Sequence, residues 1–305
     1  MALTLACACG GTSTPVVRPL LPSAPPREWN IPAGDVTLHM RAAGGQDGDP
    51  VLIIVNDGPG LSHHYATALE PILAGERRVV TFDQRGVGQS SAPFTERYTL
   101  QAFVDDLEYV RGAAHTNQAH LIGHGFGGVV VLAYTAAHPE YVASILLVDS
   151  FPAEGNELLA ARQRAVARGL ALSKRGLWTV PAPAVGNDCT ENTKATSPLY
   201  FSNPQHPLAH DMSNTTCRVD AGRATEQELH KFDLRSTLSR QWPHIPTLII
   251  EGEGDPFGVA VADQLLAAMP WGTKLILPAC GHMPWLECPA LFTPPVRRFF
   301  DRREE

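Results

Sequence analysis

The chain has 305 residues, of which 44% are hydrophobic and 18% are charged, so it is long enough to bury the core of one large domain. Its formal net charge is −7 and no basic cluster accompanies it, which argues against a nucleic-acid partner because phosphate backbones are bound by cationic surfaces. No apolar run approaches the roughly 20 residues that a helix needs to cross a bilayer, so the composition indicates a soluble globular protein.

Residues 1–28 differ in composition from the rest of the chain. An apolar stretch of small residues is followed by one rich in Gly, Ser, Thr and Pro, which predicts a processing segment and a disordered tether. The residues up to Cys7 resemble the end of a bacterial lipoprotein signal, whose cysteine is acylated. Too few residues precede Cys7 for a full signal, so either the true start lies upstream or the match is accidental. A lipid anchor there predicts an extracytoplasmic protein, with a cytoplasmic location as the alternative.

Parallel strands are indicated by continuous apolar runs, which are typical of strands buried on both faces. The runs lie at residues 51–55, 78–82, 119–122, 144–148, 247–251 and 274–277. Helical patterns lie between them, at residues 62–74, 100–114, 126–137, 259–269 and 284–300. Strands that alternate with helices predict an α/β fold with a mostly parallel, doubly wound sheet.

The alternation stops between residues 153 and 235. Residues 158–172 have a helical pattern, and residues 181–217 are rich in Pro, Asn, Thr and Ser. We interpret residues 153–235 as a cap inserted after the strand at residues 144–148, the sixth strand of the expected fold. Residues 29–152 and 236–305 then form the core. Such a cap covers the carboxyl ends of the strands, where ligands bind in open α/β sheets.

Four cysteines lie in the second half of the chain, at positions 189, 217, 280 and 288. Disulfides would fit an oxidising compartment, and four free thiols would fit the cytosol. The sequence leaves both states open. It contains neither a Cys-x-x-Cys nor a His-Glu-x-x-His motif, so we predict no metal site, and no motif calls for a cofactor.

Four motifs in a fixed order resemble those of the α/β-hydrolase superfamily, and within it the proline iminopeptidase-like group. They are Asn56-Asp57-Gly58-Pro59-Gly60, Asp83-Gln84-Arg85-Gly86-Val87-Gly88-Gln89-Ser90, Gly123-His124-Gly125-Phe126-Gly127 and Gly281-His282-Met283-Pro284. The third has the spacing of the nucleophile elbow Gly-x-Ser-x-Gly, with Gly125 where the serine stands. The resemblance covers about residues 35–300 and implies the α/β-hydrolase fold.

The resemblance also implies roles for individual residues. It assigns the oxyanion hole to the backbone N–H groups of Gly58 and Phe126, which side-chain replacement at position 125 would leave in place. It places the acid at Asp255, after the seventh strand, and the base at His282. We therefore expect Asp255 and His282 to be paired in space, with Asp149 as the fallback partner of the histidine.

Three departures from the family pattern concern one site. Gly125 has no side chain to acylate, Asn56 replaces a histidine, and Asp57 replaces a glycine beside the oxyanion donors. An inward carboxylate at Asp57 would oppose a developing oxyanion, whereas an outward one would face solvent or cap the following helix.

No other residue is a strong candidate for the missing nucleophile. Ser62 is expected to cap a helix, Cys280 to point away from His282, and Asp57 to lie on the wrong loop for the superfamily's aspartate nucleophile. We expect His124 to be an ordinary elbow residue, and the neighbouring histidines at 63 and 64 to line the entrance rather than to bind metal.

Three functions remain open. The first is an enzyme for a small organic substrate such as an ester, lactone or amide, with His282 and Asp255 acting as a general base without a covalent serine intermediate. The second is a hydrolase or aminopeptidase inactivated by the replacement at Gly125. The third is a pseudoenzyme that uses the capped pocket only to bind a ligand. We favour the first, and we leave the oligomeric state open.

Overall fold

The computed structural model describes residues 25–301, except residues 47, 76, 95–96, 213 and 242–244. Most of the predicted tether, with Cys7, therefore lies outside the described residues. The last two residues of that tether, Arg27 and Glu28, instead begin the first strand, β1. Within the described part of the chain, no helix combines the length and the hydropathy that a bilayer crossing requires.

An eight-stranded mixed sheet forms the centre of the molecule, in the order β1-β2-β4-β3-β5-β6-β7-β8. The strands are β1 (Arg27–Ala33), β2 (Val36–Ala43), β3 (Val51–Val55), β4 (Arg78–Phe82), β5 (Ala119–His124), β6 (Val142–Val148), β7 (Thr247–Gly252) and β8 (Thr273–Leu277). The six predicted strands are β3 to β8, and they run parallel to one another. The sequence analysis missed the antiparallel hairpin of β1 and β2 at the sheet edge, because its exposed positions interrupt the apolar pattern.

Helices cover both faces of the sheet, which explains why the central strands are apolar throughout. The helices are α1 (Glu70–Leu73), α2 (Leu100–Ala113), α3 (Phe126–Ala137), α4 (Gly155–Lys174), α5 (Thr190–Thr196), α6 (Val219–Leu229), α7 (Arg235–Gln241), α8 (Ala260–Ala268), α9 (Pro284–Glu287) and α10 (Pro289–Asp301). Ile53 of β3 packs into the core on the side of α2, α3 and α8, and its neighbour Ile54 packs on the side of α1 and α10.

Two predicted helices are interrupted. Residues 62–74 form a 3-10 helix, His63–Leu69, that continues into the short α1. Residues 284–300 divide into α9 and α10 at Cys288, because a residue that precedes a proline disfavours helical backbone and Pro289 follows. Ser62 does not cap its helix, since its hydroxyl accepts instead from the backbone N–H of Thr216 at 2.9 Å.

The insertion between β6 and β7 contains α4, α5, α6 and a 3-10 helix, Ser197–Tyr200. Its residues face the carboxyl ends of the central strands across a cavity. The cysteines are joined in two disulfides, Cys189–Cys217 within the insertion and Cys280–Cys288 after β8. The first closes a loop between the start of α5 and the segment before α6, which ties together the part of the insertion that has the fewest helices.

Candidate functional site

Gly125 occupies a sharp turn between β5 and α3, with φ of 54° and ψ of −121°. This is the strand-turn-helix arrangement that presents a nucleophile at the top of an α/β-hydrolase sheet. Gly127 follows in the first turn of α3, where an added Cβ would overlap the backbone oxygen of Val55. The glycine at 127 therefore permits α3 to lie close to β3.

His282 and Asp255 are brought together from the loops after β8 and β7. The Nδ1 atom of His282 lies 2.5 Å from Oδ2 of Asp255, and both side chains are buried. The other oxygen of Asp255 accepts from the backbone N–H of Phe257 at 2.5 Å. The carboxylate is thus fixed from both sides, and its contact with Nδ1 directs Nε2 of His282 toward the cavity.

Asp57 turns inward and fills the space beside Gly125. A Cβ added to Gly125 would overlap the Asp57 carboxylate. Oδ1 of Asp57 accepts from the backbone N–H of Phe126 at 2.7 Å, and Oδ2 lies 3.5 Å from Nε2 of His282. Of the two orientations that the sequence left open for Asp57, the structure therefore shows the inward one, with the carboxylate reaching position 125 from the loop after β3.

The register of the sheet explains this approach. Val55 of β3 is paired with Gly123 of β5, so Asp57 and Gly125 each stand two residues beyond a pair of register partners. In parallel strands such residues emerge at the same edge of the sheet. The carboxylate of Asp57 thus fills the volume that a side chain at position 125 would otherwise take.

The expected oxyanion hole is partly occupied in this arrangement. The N–H of Phe126 is already used by Asp57. Gly58 lines the cavity, and among the described residues its N–H has no assigned acceptor. Asn56 is buried and shapes the loop, since its Nδ2 donates to the backbone oxygens of Asp57 and Leu61 at 2.8 Å each.

A chain of hydrogen bonds below the site fixes the proton positions of His124. The hydroxyl of Tyr65 accepts from the backbone N–H of Asp57 at 2.5 Å, so its own proton goes to Nδ1 of His124 at 2.8 Å. Nε2 of His124 then donates to the backbone oxygen of His282 at 2.8 Å. Burial lowers the pKa of His124 to about 3, and the charge on His282 adds to this shift, so His124 is neutral. Sequence reasoning missed Tyr65, which carries no motif signal.

His282 lies between two carboxylates, and this sets its charge. Burial by itself would lower the pKa of His282, but Asp255 and then Asp57 outweigh it and raise the pKa to about 10. Burial would likewise raise the pKa of Asp57, yet the bond and charge of His282 hold it below its usual value. At neutral pH the site is therefore a buried imidazolium between two carboxylates. An imidazolium cannot accept a proton, so in this charge state His282 is placed to donate one, and it can act as a base only after it has lost that proton.

Two further carboxyl groups lie behind the dyad. Oδ1 of Asp149 accepts from the backbone N–H of Gly252 at 2.7 Å, while Glu251 is fully buried. Burial, with the nearby Asp255 charge, raises the pKa of Asp149 well above its usual value, and burial raises that of Glu251 similarly. Burial thus favours the uncharged form of both groups. Since Nδ1 of His282 contacts Asp255, Asp149 does not replace Asp255 as its partner in this structure.

A cavity of about 490 Å³ opens above Asp57 and His282. Its walls are mainly apolar, from core loops and from α4 and α5 of the insertion. The apolar lining includes Leu61, Phe151, Val166, Met212, Phe257 and Met283. Asp57 is the only carboxylate among the described lining residues, and Arg162 of α4 is the only guanidinium.

Among the described residues, two of the three groups of possible metal ligands have side chains that are already engaged in hydrogen bonds. In the group of Asp57, His124 and His282, both ring nitrogens of His124 are already engaged in hydrogen bonds. In the group of His63, His64 and Asp83, Oδ1 of Asp83 accepts from both the backbone and Nδ1 of His63. These contacts favour structural hydrogen bonding at both places.

Comparison with known proteins agrees with this architecture. A model of the alpha/beta hydrolase family matches residues 51–293. The proline iminopeptidase of Lactobacillus helveticus is 25% identical over 298 residues, covering 91% of this chain and 99% of the relative. A proline iminopeptidase-related protein from Thermus thermophilus has a TM-score of 0.71 at 22% identity, covering 91% and 98% of the two chains. An esterase from Exiguobacterium antarcticum has a TM-score of 0.64 at 18% identity, covering 89% and 98%. The matches confirm the predicted fold class.

Proposed function

Because the chain belongs to the alpha/beta hydrolase family, we propose that it is a hydrolase of small organic substrates that works without a serine nucleophile. In this proposal Gly125 marks the vacated nucleophile position, and His282 with Asp255 carries the proton transfers. The observation that carries the proposal is the contact of 2.5 Å between these two side chains at the floor of the cavity beneath the insertion. A protein that only binds a ligand has no need of a histidine fixed in this way.

The cavity favours an apolar substrate. Its lining is mainly apolar, and its cap side contributes Arg162 as the charged group. The described residues of the insertion place no carboxylate in the lining that could receive the ammonium group of a peptide substrate. We therefore place esters, lactones and other reactive small molecules ahead of peptides with a free amino terminus.

The test is turnover of a panel of substrates by three proteins. The panel contains an aryl ester, a prolyl arylamide, an activated lactone and an aryl glycidyl ether. The proteins are the unaltered chain, His282→Gln and Gly125→Ser, the last in an Asp57→Gly background because a side chain at position 125 would overlap the Asp57 carboxylate. Positioned acid-base catalysis contributes roughly 100- to 10,000-fold, so we expect His282→Gln to lose activity by a factor in that range while its circular dichroism is unchanged.

The Gly125→Ser variant distinguishes the alternatives. If only this variant turns over the panel, the chain is an inactivated hydrolase and the proposal fails. If neither protein turns over any substrate but small apolar compounds raise the melting temperature, the chain is a binding protein. Turnover by the unaltered chain that depends on His282 supports the proposal.

We also propose that the protein works outside the cytoplasm. The two disulfides support this location, because oxidising compartments are where such bonds persist. Labelling intact cells with a membrane-impermeant amine reagent tests it, and metabolic labelling with an alkyne fatty acid, with and without Cys7→Ala, tests the lipid anchor. A protein that is labelled only after lysis would contradict the location.

A further inference from the structure

We propose that Asp57 is the nucleophile of this enzyme and that its substrate is an epoxide, which is opened to a hydroxyalkyl ester on Asp57 and then hydrolysed to a diol. The inference rests on the proposed function and identifies the residue that replaces the missing serine. It follows from where the Asp57 carboxylate lies relative to Gly125, Phe126, His282 and the cavity.

The first step is the position of the Asp57 carboxylate. The Asp57 carboxylate lies in the volume that a side chain on Gly125 would take. Its side chain is 11% exposed and lines the cavity, so it is buried but can be reached by a bound ligand. Position 125 is the one from which the fold presents its nucleophile. Asp57 thus brings a carboxylate to that place from the loop after β3.

The second step is that the two oxygens of Asp57 have different surroundings. Oδ1 is held by the N–H of Phe126 at 2.7 Å, and Oδ2 faces Nε2 of His282 at 3.5 Å. Oδ2 is therefore the oxygen free to attack. After attack Oδ1 is the carbonyl oxygen of an ester, and the N–H of Phe126 is in place to stabilise the oxyanion that forms on it when water adds.

The third step is the proton balance, which selects the substrate class. Oδ2 attacks a ring carbon, the ring C–O bond breaks with its electron pair on the oxygen, and that oxygen takes the Nε2 proton of His282. An imidazolium beside the attacking carboxylate is thus suited to a leaving oxygen that stays in the molecule and needs a proton. A carboxylate attacking an amide would instead have to form an anhydride and expel an amine, which is unfavourable.

The second half of the reaction returns the site to its starting state. His282 is neutral at this point, because it has given its Nε2 proton to the ring oxygen. Asp57 is now an ester and carries no charge, so only Asp255 remains of the two carboxylates that hold a proton on His282. His282 then takes a proton from water, whose oxygen adds to the carboxyl carbon of Asp57. Collapse releases the diol and restores the Asp57 carboxylate and the His282 imidazolium. Water is the only co-reactant, and no group is oxidised or reduced.

The same charges give a distinctive pH profile. His282 faces charged or ionisable groups from several elements: Asp57, His124, Asp149, Tyr200 and Asp255. Ester formation needs the Asp57 carboxylate and the protonated His282 together. The rate of this step therefore falls as pH rises through the pKa of His282, about 10. A mechanism in which His282 simply activates water would show the opposite, a rate that rises up to that pH.

The decisive experiment is a single turnover of an aryl glycidyl ether in water enriched in oxygen-18, with enzyme in excess. We expect the first diol to be unlabelled, because its new oxygen comes from Oδ2 of Asp57, and we expect the tryptic peptide that contains Asp57 to gain about 2 Da. The peptides that contain Asp149 and Asp255 are internal controls in the same digest and should stay unlabelled. No substitution is needed, so loss of folding cannot obscure the result.

Two variants complete the test. Asp57→Asn should lower epoxide turnover by roughly 1,000-fold or more, as loss of a catalytic nucleophile does. In His282→Gln ester formation itself should be slowed, because the leaving ring oxygen loses its proton donor, so the mass of the epoxide should not appear on the Asp57 peptide within the turnover time of the unaltered chain. A labelled diol in the first turnover, with no label on Asp57, would overturn the inference while leaving the proposed function intact. Absence of epoxide turnover, with His282-dependent turnover of an ester or lactone, would overturn the substrate class alone.

Discussion

The charge of Asp57 controls the protonation of His282, and the substitution Asp57→Asn tests this directly. Asparagine keeps the size of the side chain and an oxygen for the N–H of Phe126, but it removes the negative charge. The distance from Oδ2 to Nε2 is 3.5 Å. At an effective dielectric constant of about 20 the attraction between unit charges at this distance is about 5 kcal/mol, and in bulk water it is about 1 kcal/mol.

These limits translate into a shift of the His282 pKa by about 1 to 3.5 units, since one unit corresponds to about 1.4 kcal/mol. The pKa should therefore fall from about 10 toward the range of about 6.5 to 9. NMR titration of protein with nitrogen-15 in its histidines measures the shift, and the His282→Gln spectrum assigns the signal. A pKa that stays within about half a unit of the starting value would refute the reasoning.

The pH dependence of the stability measures the folded-state pKa of His282 in a second way. Because the folded-state pKa of His282 is raised above its ordinary 6.5, its contribution to stability is fully present below that pH and is lost as pH rises toward about 10. Urea unfolding at pH 6 and pH 9 should show a larger loss in the unaltered chain than in Asp57→Asn. Equal losses in the two proteins would mean that Asp57 does not hold the proton.

Three further predictions follow from the geometry of the site. Gly125→Ala should destabilise the chain by about 1–3 kcal/mol through the positive φ of this position alone, and by more through the overlap of the new methyl group with Asp57. In urea unfolding, adding Asp57→Gly to this variant should recover only the part of the loss that comes from the overlap. Asp255→Asn should lower the His282 pKa in an NMR titration, whereas Asp149→Asn should change it less, because the Asp149 carboxyl bonds to the backbone N–H of Gly252 and not to the imidazole ring; equal shifts would contradict this. Reduction of the disulfide that spans 28 residues should cost about 3–4 kcal/mol and that of the one spanning 8 about 2–3 kcal/mol, and an unchanged melting temperature of the paired Cys→Ser variants would contradict both.

Much of the fold could be predicted because its signals are local. The strands β3 to β8 are buried on both faces, so they appear in the sequence as continuous apolar runs. The antiparallel hairpin of β1 and β2 escaped detection, because an edge strand with one solvated face has a weaker pattern. The break at Cys288 was missed for a different reason, since the apolar period continues across it while the backbone does not.

The candidate site divides in the same way. Asp255 and His282 were identified from motif order, and the structure places them in contact. The orientation of Asp57 was left open, because a loop residue can face either solvent or protein and no local signal decides which. The pairing of Val55 with Gly123 decides it, by delivering Asp57 and Gly125 to one edge of the sheet.

The sequence by itself thus determined the six parallel strands of the sheet, the order of the functional loops and the absence of a hydroxyl at position 125. Only the tertiary structure decided the charge of the site. The protonation of His282 depends on two carboxylates from loops that lie far apart in the chain, at distances of 2.5 and 3.5 Å. Electrostatic interactions vary with distance and burial rather than with sequence spacing, so a motif can name the ionisable groups but only packing sets which of them hold the protons.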